Sequence, residues 1–186
     1  MVDELELVQQ ARAGDREAFG ALYDRFAPDV TRLLSGMRLG LSAQDLEDAV
    51  QDTFVRLHRS LARYDGSRPL RPFVLGIARH VAVDRCRRQA RSGRTKQAAP
   101  EPSLEPSAAE RAARGERSAL IQQALDALEP ELRAAIALRH QSELSMQALG
   151  AALGCSQPTA RARLREASHR LAVELRRRGL VPGRVV

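Results

Sequence analysis

Apolar positions recur along this chain at three- and four-residue spacing, and alternating patterns are scarce. The periodicity predicts an all-α protein. Residues 3–13 read as a short helix with Leu5, Val8 and Ala11 inward. Asp15 caps a second helix, whose stripe is Phe19, Leu22, Tyr23, Phe26, Val30, Leu33, Leu34 and Met37. Pro28 falls inside that stripe and is expected to kink or interrupt it. Gly36 to Leu41 reads as a loop. Ser42, with Asp45 three residues on, then opens a helix with Leu46, Val50, Phe54, Leu57 and Leu61 on one face. A turn at Tyr64–Pro69 leads into a further helix, with Pro72 in its first turn and Leu70, Phe73, Val74, Ile77 and Val81 inward. The stripe lapses from Arg94 to Glu116, a stretch with three prolines that cannot bury enough surface to fold alone and reads as a flexible linker. It resumes at Leu120, Ala124, Leu125 and Leu128, then at Leu132, Ile136 and Leu138. Met146, Leu149 and Leu153 follow, then Ala160, Leu164, Ala167 and Leu171.

Polar positions add a second layer. Asp45, Asp48 and Asp52, with Gln51 beside them, form an acidic stripe on the Ser42 helix. Acids in a first turn complement the helix dipole, which covers Asp45 but not Asp52 two turns further in. Protein docking and solvated surface both remain open for this face. From Gly76 to Lys96 there are seven Lys/Arg against one acid, a net +6. From Ser156 to Val186 there are eight Arg against two Glu, again +6. The formal charge of the chain is +7, so everything outside these two segments sums to −5. Positive charge gathered in two places fits one extended phosphate-bearing partner. Near the second segment, two short helices meet at Gly154-Cys155-Ser156, and the second is strongly basic. This is the helix-turn-helix pattern, with Thr159, Arg161, Arg163 and Arg165 where a recognition helix meets base edges.

Composition removes other classes. There is no Trp, with two Tyr and four Phe, so the core must be mostly Leu, Ala and Val. Cys86 and Cys155 stand alone, without metal-ligand spacing, and read as small buried residues. His58, His80, His140 and His169 are scattered, and no Ser or Cys has a base partner. The expectation is no catalytic residue, no metal, no cofactor and no small-molecule substrate. No apolar run reaches the roughly 20 residues of a membrane span, and no signal peptide is visible, so the expected location is cytoplasmic.

Three runs carry a family resemblance. They are Asp45-Leu-Glu-Asp-Ala-Val-Gln-Asp-Thr-Phe, Arg68-Pro-Leu-Arg-Pro-Phe, and Ile77-Ala-Arg-His-Val-Ala-Val-Asp-Arg-Cys-Arg-Arg. Together they resemble region two of bacterial sigma factors, above all the small extracytoplasmic-function (ECF) group. Leu125 to Arg139 with Ala148 to Ser156 is similar to sigma region four. The resemblance implies that Asp45, Asp48, Gln51 and Asp52 dock on core RNA polymerase. It implies that the minus-ten promoter element is read and melted by Tyr64, Asp65, Ser67, Arg68, Phe73, Arg79, His80, Asp84, Arg87 and Arg88. The loop of that set would trap a flipped base, whose unstacking costs a few kcal/mol. The minus-thirty-five element would fall to Ser156, Gln157, Thr159, Arg161, Arg163 and Arg165. An anti-sigma factor is the expected regulator.

Several positions depart from the family's pattern. His80 stands where an Asn is common, Phe73 replaces a Trp, Leu75 replaces an aromatic, and Gln157-Pro158-Thr159-Ala160 replaces Val-Gly-Thr-Val. Glu166 falls where a basic or polar residue is frequent, and a glutamate facing DNA would repel phosphate. The resulting expectation is two small helical domains, residues 1–93 and 117–180, joined by a linker at 94–116 and ending in a tail at 181–186. Together they would form a sigma factor directing promoter recognition, melting and initiation. The alternative is a stand-alone helix-turn-helix repressor or activator.

Overall fold

The computed structural model describes residues 4–37, 42–64, 66, 69–91 and 108–180. Among these there are eight α-helices and no strand. They are α1 (Glu4–Arg12), α2 (Arg16–Gly36), α3 (Ala43–Ser60), α4 (Leu70–Arg91), α5 (Ala108–Asp126), α6 (Pro130–His140), α7 (Met146–Leu153) and α8 (Gln157–Arg177). A 3-10 turn, Leu61–Arg63, extends α3.

The caps follow the local chemistry. The Asp15 carboxylate accepts from Glu17 N and Ala18 N at the start of α2. Ser42 and Asp45 form a full capping box on α3. Ser145 and Ser156 accept from Ala148 N and Thr159 N at the starts of α7 and α8. Gly154 ends α7 in the left-handed region, φ +65°. Pro158 lies in the first turn of α8, so the departure at Gln157-Pro158 removes no helical hydrogen bond.

Some expectations need correction. α2 runs without interruption through Pro28, because Leu22 and Phe26 before it and Val30, Leu33 and Leu34 after it are all buried. Leu5 and Tyr23 are not inward; they are 42% and 39% exposed. The stretch read as linker to Glu116 is helical from Ala108.

The largest difference concerns α4. It was read as amphipathic, yet Leu70, Val74, Leu75, Ala78, Val81, Ala82 and Val83 are all buried, which leaves no apolar-free side along most of its length. α4 packs against α2 and α3 on one side and against α6 and α7 on the other. One continuous core therefore runs from Val8 in α1 to Ala160 in α8. Gly76 makes this crossing possible. A Cβ there would stand 3.0 Å from the Ala152 carbonyl oxygen of α7. A smaller apolar cluster, Leu128, Leu132 and Ala167, ties α8 to the α5–α6 corner.

Candidate polymerase and promoter interfaces

The acidic helix α3 buries Ala49, Val50, Phe54 and Leu57, which turns Gln51 toward solvent and leaves Asp48 half-buried beside it. The four acidic-face residues are not equivalent. The Asp45 carboxylate is engaged in the cap, accepting from Ser42 N at 3.2 Å and Ser42 Oγ at 2.6 Å. Asp48 accepts only a 3.3 Å bond from Gln44 Nε2 within its own helix. Asp52 is paired with Arg85 of α4 at 2.5 Å, and Arg85 also donates to the Asp45 carbonyl at 3.2 Å. A second pair, Arg56 with Asp84 at 3.0 Å, crosses the same α3–α4 seam in the opposite sense. Val55, 50% exposed, lies on the outer side of the helix.

The basic helix α4 divides its predicted DNA readers. His80 and Arg88 face solvent. Asp84 is held by Arg56, and Arg87 is ion-paired with Glu131 of α6. Arg79 is only 6% exposed; its Nε donates to the Ala152 carbonyl at 3.3 Å, and its Nη2 lies 2.7 Å from His80 Nε2. Burial pulls the Arg79 guanidinium below its ordinary value, and the nearby Arg163 of α8 adds to this. The electrostatic influence of α8 thus reaches a predicted reader on α4 across α7, which packs against both helices. Desolvation of the ring, then Arg79, pushes His80 down from its ordinary value of 6.5.

At the start of α4, the Tyr64 and Phe73 rings pack at 5.0 Å between centroids. Tyr64 is 7% exposed, so it forms a wall behind the turn and is not an open stacking surface. Asp65, Ser67 and Arg68 lie outside the described residues.

In α8, Ser156, Gln157, Thr159, Arg161, Arg163 and Arg165 are all exposed on the first turns. Glu166, which would repel phosphate if free, is paired with Arg170 at 2.6 Å, and Arg170 also reaches Glu129 at 3.1 Å. Its charge is compensated inside the helix.

The sequence pattern gave Arg56 no part and counted Arg85 only within the basic Gly76–Lys96 segment. The opposed pairs Asp52–Arg85 and Arg56–Asp84 were open to discovery only as charges on two helices expected to be adjacent. Arg71 was not singled out. It joins three elements, donating to Asp29 of α2 at 2.6 Å and to the Ser142 carbonyl of the α6–α7 turn at 2.9 Å.

An all-helical chain with an acidic helix, a basic helix beside it, and a capped helix-turn-helix defines a nucleic-acid-binding transcription protein. Comparison with known proteins agrees. Residues 22–92 match the family model for sigma-70 region 2, and residues 118–171 match that for sigma-70 region 4. SigM from the Erdman strain of Mycobacterium tuberculosis, an ECF RNA polymerase sigma factor, is 30% identical over 90% of this chain and 82% of its own length. The RNA polymerase sigma factor CarQ of Myxococcus xanthus is 32% identical over 84% of this chain and 88% of its own. The solved structure of CnrH in complex with the cytosolic domain of CnrY superposes with a TM-score of 0.67 at 25% identity, covering 94% of this chain and 97% of that one. The chain belongs to the ECF RNA polymerase sigma factors.

Proposed function

We propose that this sigma factor docks on core RNA polymerase through the outer face of α3, reads and melts the minus-ten element with α4 and the turn before it, and reads the minus-thirty-five element with the first turns of α8. The observation that carries the docking assignment is the face formed by half-buried Asp48 and exposed Gln51, set opposite the buried side of α3 and flanked by the exposed Val55. The α8 assignment rests on its exposed arginines behind a Ser156 cap, a geometry suited to base edges and phosphates. The role needs no bond-making chemistry from the chain itself, and it places the protein in the cytoplasm with the polymerase. Among the described residues no helix is long and apolar enough to cross a membrane.

Promoter reading by Arg79 requires α7 to leave α4, because its guanidinium is enclosed between them. A state that keeps α4 and α7 together is therefore unable to use Arg79 on DNA. CnrH was solved with the cytosolic domain of a partner protein. By analogy, an anti-sigma factor that favours the closed arrangement would keep this chain off promoters.

The test is run-off transcription with core polymerase on genomic fragments. Asp48→Arg is preferred to a change at Asp52, because Asp52 also supports the fold through Arg85. Specific transcripts from the wild type should fall by roughly thirtyfold in the variant, the effect of losing one interface hot spot of about 2 kcal/mol. Undiminished transcription would sink the docking assignment. Tight operator binding without polymerase, insensitive to the charge reversal, would favour a stand-alone repressor or activator.

A further inference from the structure

Burial fixes which way each side of α8 faces. Ala160 and Ala167 are fully buried, and Leu164 and Leu171 are half-buried on the same line, so this is the core side, against α6 and α7. Successive residues rotate by about 100° around a helix axis. Ala162 therefore points about 170° away from the centre of the core line, and His169 shares its direction. Pro158 and Arg165 lie within about 50° of the line opposite the core. All four are exposed.

Other candidate readers on α8 are turned aside or engaged. The Ser156 hydroxyl accepts from Thr159 N at 3.4 Å and lies 2.8 Å from Thr159 Oγ1, so both hydroxyls serve the cap. Arg163 lies only about 70° from the core centre, and its charge is felt at the buried Arg79 of α4. Arg161 occupies the opposite flank, about 90° from the core centre. Glu166 is drawn sideways by Arg170, at 2.6 Å, which also reaches Glu129 before α6 at 3.1 Å. In the turns that follow the cap, the side chain aimed most directly outward is thus the methyl group of Ala162, with Arg161 and Arg165 on one side of it.

We propose that Ala162 determines promoter specificity: its methyl group packs on the C5 methyl of a thymine in the minus-thirty-five element. This rests on the reading that α8 enters the major groove at that element. A recognition helix sets its outward line against base edges, near its N-terminus, while flanking cations meet phosphates. A methyl group neither donates nor accepts a hydrogen bond. Of the groups that base edges present in the major groove, the thymine methyl is the one that gains from an apolar contact. Against the amino group of adenine or cytosine, the same alanine would cover a donor without accepting from it, and that mismatch selects against those bases. The short side chain also lets the helix come close to the groove floor, so the two methyl groups can touch.

The test uses holoenzyme assembled from core polymerase and the full chain, as wild type, Ala162→Gly or Arg161→Gln. The probe is a fluorescent duplex carrying a promoter that the wild type transcribes, titrated by anisotropy. Each thymine of its minus-thirty-five element is replaced singly by deoxyuridine, which lacks only the C5 methyl. At one thymine the replacement should weaken wild-type binding about fourfold, the scale of one buried methylene. Ala162→Gly should bind the thymine duplex more weakly and no longer distinguish it from the deoxyuridine duplex. The ratio of the two affinities is the readout, because a helix merely loosened by glycine weakens both duplexes alike. Arg161→Gln should weaken both and leave the ratio at about fourfold, as expected of a phosphate contact. A minus-thirty-five element without thymine, a wild type indifferent to every deoxyuridine, or a preference that survives Ala162→Gly would each overturn the proposal. Holoenzyme that binds equally well when the whole minus-thirty-five element is scrambled would instead overturn the reading of α8 beneath it.

Discussion

Arg79 and His80 are neighbours in sequence whose side chains have come to depend on one another. Arginine can only donate, so the nearer His80 nitrogen, Nε2 at 2.7 Å, must accept and the ring must be neutral. Desolvation first, and Arg79 and Arg56 after it, depress the His80 pKa below 6.5, against an opposing pull from Asp84. With a folded pKa lower than the unfolded one, the unfolded chain binds more protons in the window just below 6.5. Stability is therefore full above that value and declines as the pH falls through the window. Thermal midpoints taken between about pH 5 and 7.5 should drop on the acid side, and His80→Asn should flatten the profile in that range. A profile unchanged by the substitution would assign the drop to another group. Asp29 titrates with the same sign but lower, since its hydrogen bond from Arg71 holds the carboxyl below its ordinary 3.8.

Helices and their caps show what could be read from the chain and what could not. Asp15 and Ser42 were legible as caps because capping is local: a side-chain oxygen and an amide two or three residues on settle it, and Ser156 caps α8 in the same way. Replacing Ser156 by Ala should cost about 1 kcal/mol and loosen the first turn of α8, where Thr159 and Arg161 sit. Chemical denaturation and duplex binding to a minus-thirty-five fragment would both register it, whereas a change in stability with unchanged duplex affinity would detach that turn from DNA reading. The two faces of α4 were not legible in the same way. Leu75 and Val83 fall outside the stripe of Leu70, Phe73, Val74, Ile77 and Val81. In the folded chain they are at 0% and 4% exposure because a second layer, α6 and α7, covers them. Sequence periodicity reports how wide the buried face is, but it does not name the element that covers it. The same limit hid Arg79. A base in a +6 segment looks like a phosphate contact until the α7 carbonyl that receives it is in place. Tyr23 and Leu5 failed in the opposite direction. They sit at correct helical spacing, yet each lies at the edge of its helix's buried face and stays partly wet.

At the scale of the whole molecule, closure brings together charges that would otherwise repel. Arg163 and Arg87 both act on the buried Arg79 at the α4–α7–α8 joint, opposed by Glu131 and Cys155. Closure must then be sustained by packing, and at Gly76 the α4 backbone comes close to that of α7. Gly76→Leu is a discriminating change. Within α4 it replaces a poor helix former with a good one, which should favour the helix by up to about 1 kcal/mol. At the joint it drives a side chain into the Ala152 carbonyl, a backbone atom that cannot step aside. A compact chain of this length has a radius of gyration of about 16 Å. Small-angle scattering should give a value near that for the wild type and a distinctly larger one for the variant, with helicity retained. Freed from Ala152, Arg79 would be available to phosphate, so the variant should also bind duplex DNA without polymerase more tightly than the wild type, with a steeper dependence on salt. An unchanged radius would mean that α7 shifts along α4 to accommodate the side chain. A larger radius with no gain in DNA binding would mean that Arg79 finds another partner on its own domain once α7 has left. Only the two changes together would show that the same contact both closes the molecule and withholds Arg79 from DNA.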